Sequence, residues 1–69
     1  MFTVSVFDRD NEHLEDYVGI HVKDTAVREA IFQSRRYPTF TVYIIDSEHP
    51  DRGETWKRGR RIGKALPNR

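Results

Sequence analysis

The chain has 69 residues, 36% of them hydrophobic and 33% charged, and twelve basic against eleven acidic side chains leave a net charge of +1 with histidine neutral. That length admits one small domain and excludes a second. It also leaves little room for the dry site of an enzyme, because a chain of this size buries only about 60% of the surface its unfolded form exposes.

Phe2, Val4 and Val6 alternate with Thr3, Ser5 and Phe7, the period of a half-buried strand. Asp8-Arg9-Asp10-Asn11-Glu12-His13 carries the side-chain hydrogen-bonding groups of a turn. Leu14 to Val22 alternates again, with Val18, Ile20 and Val22 on one face and Tyr17, Gly19 and His21 on the other, which predicts a β-hairpin. The period changes at Asp24. Asp24 or Thr25 is placed to cap a helix, and Ala26, Val27, Ala30, Ile31 and Ser34 then form one helical stripe, with Arg28, Glu29, Gln33 and Arg36 facing elsewhere. Arg35 and Arg36 fall in the last turn, where cations favour the negative end of the helix dipole, and Pro38 disfavours a helical Tyr37. About twelve residues of helix are marginal alone, so this one must dock on a sheet.

Thr39 to Ile45 restores alternation, with Phe40, Val42 and Ile44 opposite Thr41, Tyr43 and Ile45. Residues 46–53 read as a polar loop. Thr55-Trp56-Lys57 reads as a short fourth strand, extending at most to Ile62. The two glycines and the proline after it set a boundary: a compact domain over 1–58, then an irregular basic tail over 59–69 that Ile62, Ala65 and Leu66 can pin to the body. The expectation is a single α+β domain in which one helix packs on one face of an antiparallel or mixed sheet, in the order β-β-α-β(-β). Its core would be Phe2, Val4, Val6, Val18, Ile20, Val22, Val27, Ala30, Ile31, Phe40, Val42 and Ile44. This layout resembles the β-grasp arrangement of ubiquitin-like domains, in topology only. The chain ends Leu66-Pro67-Asn68-Arg69 where a conjugating ubiquitin-like protein has Gly-Gly, so the resemblance does not imply conjugation. Fold does not dictate function.

Cysteine is absent, which excludes a cysteine zinc site and points to a reducing compartment. No apolar run approaches the roughly 18 residues of a membrane span, and Met1-Phe2-Thr3-Val4 lacks the basic segment of a signal peptide. A cytoplasmic protein without membrane contact or cofactor is expected. The carboxylates Asp8/Asp10, Glu12/Glu15/Asp16 and Asp46/Glu48/Asp51 sit in polar turns, where solvation opposes the pKa shifts of acid–base catalysis. His13, His21 and His49 match no metal-ligand spacing. Ser5 can meet His21 across the hairpin, without the turn of a nucleophile elbow. Gly59-Arg60-Arg61-Ile62-Gly63-Lys64 lacks the phosphate-loop spacing. These readings predict no enzyme, with a small metal-dependent enzyme as the weakest alternative.

Charge is divided sharply. Residues 1–56 carry six basic and eleven acidic side chains, whereas residues 57–69 carry six basic and none acidic, the pattern of an interaction tail. Two surfaces follow. The sheet face opposite the helix would present Phe7, Tyr17, Tyr43 and Ile45 as an apolar patch, with Arg35 and Arg36 steering the encounter. That surface predicts a small binding protein that regulates or inhibits a macromolecular protein partner by occupying it, in the style of small phage-encoded proteins, or a homodimer seam. The alternative is nucleic acid, DNA or RNA, gripped by Trp56, Lys57, Arg58, Arg60, Arg61 and Lys64, with arginine forks on phosphates and the aromatic ring on a base. An RNA-recognition motif would need a second helix and its own signature, and neither is present. Charge alone does not choose between nucleic acid, an acidic protein surface and the chain's own acidic loops.

Overall fold

The structure, a computed structural model, describes residues 1–64; the expected pinning by Ala65 and Leu66 lies outside them. β1 (Phe2–Phe7) and β2 (His13–Ile20) are followed by α1 (Lys23–Arg36) and β3 (Thr41–Asp46). A single 3₁₀ turn at Pro50–Arg52 leads to β4 (Glu54–Lys57) and β5 (Arg60–Gly63). The strands form one sheet ordered β2-β1-β3-β4-β5, and every neighbouring pair is antiparallel. The fold is α+β, as the alternation of periods implies. Because β2 and β3 both run against β1, which lies between them, they are parallel to each other, and α1 is the crossover of a split β-α-β unit. The likeness to the β-grasp is one of element order; the pairing is that of the split unit.

The core lies between α1 and the sheet. Val4, Val6, Val42 and Ile44 meet Ala26 and Ala30, and Phe2, Tyr17, Ile20, Val27, Ile31 and Phe40 pack around them. Alanines on the buried stripe bring the helix close to the strands, and each fully buried Val or Ile contributes about 1.5–3 kcal/mol over its exposed state. The seventh core residue is Trp56, 8% exposed, whose indole Nε1 donates to Glu54 Oε1 at 3.0 Å. Gln33 is buried as well, not outward as its place in the sequence suggested, and its Nε2 donates to Glu29 Oε2 at 2.7 Å.

Three local features depart from the expected elements. The first is β2, which needs eight residues to run beside the six of β1. Register slips once between Phe2↔Ile20 and Val4↔Tyr17 and again between Val6↔Glu15 and Phe7↔His13, so each slip inserts one extra residue as a β-bulge. Gly19, at φ +74°, takes the backbone conformation that lets the first bulge form. Tyr17 and Ile20 therefore share the helix side. Val18 is 70% exposed and Val22 is exposed too, and neither joins the core.

The second is the helix start. Val22 is the N-cap and no side chain caps the helix; Asp24 sits in the first turn, where its charge favours the helix dipole. The C-terminus agrees with expectation, with Arg35 and Arg36 in the last turn and the Tyr37 N–H donating to Gln33 O.

The third is the segment after residue 58. Arg58 (φ 55°) and Gly59 (φ 77°) form the two-residue loop that joins Lys57 to its partner Arg60, and positive φ at both positions marks a type I′ turn, whose twist suits a tight hairpin. Residues 60–63 consequently extend the sheet instead of fraying, and the Thr55 hydroxyl donates to the Lys64 carbonyl at 2.6 Å. A boundary at residue 58 would cut this hairpin.

Candidate functional site

The open sheet face can be followed strand by strand. Ser5 pairs with both Asp16 and Tyr43, Phe7 with both His13 and Thr41, and Thr3 with Ile45. No element among the described residues covers this face. The Phe7 ring meets Tyr43 edge-on at 5.3 Å between centroids and His13 at 5.1 Å. Phe7 and Tyr43 are half-buried against each other, and Ile45 is 41% exposed. Tyr17, expected as the fourth member of this patch, faces α1 because of the bulge. Its hydroxyl donates to Glu15 Oε1 at 2.6 Å, and that bond, with burial and the charges of Glu15 and Glu29, raises its pKa to about 12.

The same face holds a serine, an aspartate and a histidine. Ser5 Oγ donates to Asp16 Oδ1 at 2.6 Å, and His13 Nε2 lies 2.8 Å from that same oxygen. Ser5 thus meets Asp16 rather than His21. An ionised carboxylate only accepts, so Nε2 carries the proton. The Ser5 bond, the His13 bond and the His13 charge outweigh burial and hold the Asp16 carboxyl below its ordinary value. A nucleophilic serine needs the histidine in the middle to take its proton; here the aspartate is in the middle. The arrangement ties β1 to the irregular β2 and does not activate the hydroxyl. Among the described residues no group of three or more His, Cys, Asp or Glu could hold a metal ion, and no helix is long and apolar enough to cross a membrane.

The cations gather where α1 meets the β4–β5 hairpin, with Lys57 and Arg60 on the open sheet face and Arg61 on the helix side with Trp56. α1 ends at the same end of the sheet as the β4–β5 turn, and the two are joined directly: the Gly59 N–H donates to Ser34 Oγ at 2.9 Å, and Ser34 Oγ donates to Ile31 O at 3.2 Å. Arg35 lies across the turn, since a Cβ on Gly59 would sit 2.5 Å from its Nε and 2.8 Å from its Cγ. Glycine is favoured there by its φ of 77°, and any side chain would have to displace that of Arg35. Two open grooves flank the junction. One, of about 470 Å³, is lined by Arg28, Ile31, Phe32, Arg35 and Arg36. The other, of about 390 Å³, is lined by Lys57, Arg58, Arg60, Arg61 and Ile62.

Few of these charges are neutralised. Among the described residues Arg61 approaches Glu54 at 3.8 Å and Lys23 reaches the same carboxylate at 3.0 Å, while Arg28, Arg35, Arg36, Lys57, Arg58 and Arg60 form no salt bridge. Arg36 stacks on the Tyr37 ring at 5.1 Å instead. Of the residues nominated for nucleic acid, Lys57, Arg58, Arg60 and Arg61 come together in one groove, and Lys64 follows directly after β5. Trp56 does not join them, because it faces the core. Arg35 and Arg36, nominated for the protein-binding face, belong to this basic ridge. The sequence reading missed Arg28 and Phe32. Their signal is present: Phe32 stands four residues from both Arg28 and Arg36 and off the Ala26–Ala30 stripe, so its exposure, 57%, follows from helical periodicity.

The chain matches no protein-family model, no curated protein and no solved structure.

Proposed function

We propose that this protein is a non-catalytic binding module that takes nucleic acid on the basic ridge formed by α1 from Arg28 to Arg36 and by the β4–β5 hairpin. The observation that carries this reading is the set of six cations that form no salt bridge among the described residues and line the two grooves beside the Ser34–Gly59 hydrogen bond. Gathering like charge on a folded surface is unfavourable in itself and becomes favourable when a polyanion neutralises it. Five of the six are arginines, whose planar donor fork matches phosphate. The test is fluorescence anisotropy with labelled single-stranded and duplex oligonucleotides across salt. Six phosphate contacts give a slope of log K on log salt of about −4 for a single strand, a loss of about 300-fold between about 50 and 200 mM. Replacing Arg58 and Arg60 by alanine should flatten that slope. Absence of binding at low salt defeats the reading.

A second reading rests on the open sheet face. Phe7, Tyr43, Ile45 and Val18 leave apolar surface there, the composition of a protein contact. A pull-down from native lysate, with and without nuclease, separates the two readings. A partner that survives nuclease and is lost in Ile45→Asp belongs to the sheet face.

A further inference from the structure

Resting on the nucleic-acid reading above, we infer that the ligand is single-stranded, with one unpaired base stacked on Phe32 and its flanking phosphates held by Arg28, Arg35 and Arg36. The aromatic first expected to stack, Trp56, is closed off in the core. Phe32 offers what Trp56 cannot: it is 57% exposed and lines the same groove as the three arginines. A ring among guanidinium groups is suited to an unpaired base, because stacking needs the face of the base and phosphate contacts need the forks beside it. A base inside a duplex shows only its edge in the grooves.

The course of the positive surface supports a flexible strand over a rigid one. On the row of α1 that carries Arg28, Phe32 and Arg36 at intervals of four, the N-terminal position is Asp24, whose charge opposes a duplex laid along the whole helix. Along α1 the cations without a salt bridge among the described residues begin at Arg28 and gather at Arg35 and Arg36; Arg35 lies against Gly59, and beyond that turn are Arg58 and Arg60. The second groove repeats the pattern of the first, with Ile62, 60% exposed, among four cations. A single strand can bend around this corner and leave an apolar contact in each groove.

The test compares a single-stranded oligonucleotide of about 15 nucleotides, within the range such grooves occupy, with a duplex of the same length. Phe32→Ala should weaken single-strand binding about tenfold while leaving the salt slope and duplex binding unchanged, because all the cations remain. Phe32→Leu keeps the apolar bulk without a ring and should lose as much, whereas Phe32→Tyr should bind as the native protein does. Thermal melts of each variant confirm that the fold is retained. If Phe32→Ala binds as native, or loses single strand and duplex equally, the inference is overturned, and the nucleic-acid reading stands provided that Arg58→Ala and Arg60→Ala still weaken binding. If neither probe binds the native protein at low salt, both fall.

Discussion

Replacing Ser34 by alanine tests the join between helix and hairpin on which the basic ridge depends. Ser34 is fully buried, accepts the Gly59 N–H at 2.9 Å and donates to Ile31 O at 3.2 Å. The second bond matters less, since Ile31 lies inside α1 and its carbonyl keeps a helical partner. The decisive loss is at Gly59, whose amide has no other acceptor in the turn. An unsatisfied buried donor costs about 1–3 kcal/mol. Gly59 is half-buried, so water recovers part of this and about 1–2 kcal/mol remains. At 4–8 °C per kcal/mol for a domain of this size, the melting temperature should fall by roughly 5–15 °C. Ser47→Ala is the matched control. Its hydroxyl donates to Met1 O at 3.0 Å, but the site is exposed and the Ser47 N–H reaches the same carbonyl, so the cost should stay within about 0.5 kcal/mol. Circular dichroism melts of the three proteins decide the matter. If Ser34→Ala melts within about 2 °C of native, or no lower than the control, the amide is not held as described.

Three further outcomes are expected. The single tryptophan, Trp56, faces the core, so its emission should be blue-shifted and should stay so when oligonucleotide is added; strong quenching on binding would place it at the interface. Asp16 is held below its ordinary value by Ser5 and His13. Burial acts to raise Asp46 and Glu54, yet the Glu48 and His49 amides lower Asp46, and Lys23, Trp56 and Arg61 lower Glu54. All three therefore stabilise the folded state above the ordinary carboxylate range, and that stability is lost as pH falls through their folded values. Melting temperature should drop below about pH 4, less steeply in Asp16→Asn, and a melting point that rises on acidification would contradict it. Tyr17 should ionise near 12 in an ultraviolet titration, and Glu15→Gln should bring it down toward its ordinary value of 10.0; identical curves for the two proteins would remove the Glu15 contact as the cause.

Sequence periodicity revealed the elements because hydrophobic spacing is a local property. The alternation of Phe2–Val6 and of Phe40–Ile44 and the stripe of Ala26 and Ala30 correspond to buried faces in the structure. It failed where a single residue resets the phase. Strict alternation through Leu14–Val22 puts Val18 with Ile20, but the bulge at Gly19 inserts a residue, which turns Tyr17 inward and Val18 outward. Composition misled at the C-terminal end. Glycine and a run of cations read as an irregular tail, yet at Gly59 the glycine is the turn that makes β5 a strand. For the candidate site, the charges were legible as a count and not as a place. Arg35 and Gly59 stand far apart in sequence, and only the crossover that returns α1 to the end of the β4–β5 hairpin brings them together. Trp56 stands among charged neighbours in the sequence, yet its place in the alternation of β4, opposite Val42, turns it to the core.

The split β-α-β arrangement also bears on how the chain folds. The two outer hairpins, β1–β2 and β4–β5, join neighbouring segments, and such contacts form within microseconds. The central seam pairs Phe2 with Asp46 and Phe7 with Thr41, so it must close a loop containing all of β2 and α1. Closing that loop spends chain entropy before any pairing returns it, which makes the seam the slow event. Refolding rates should accordingly respond to substitutions at Val4, Val42 and Ile44.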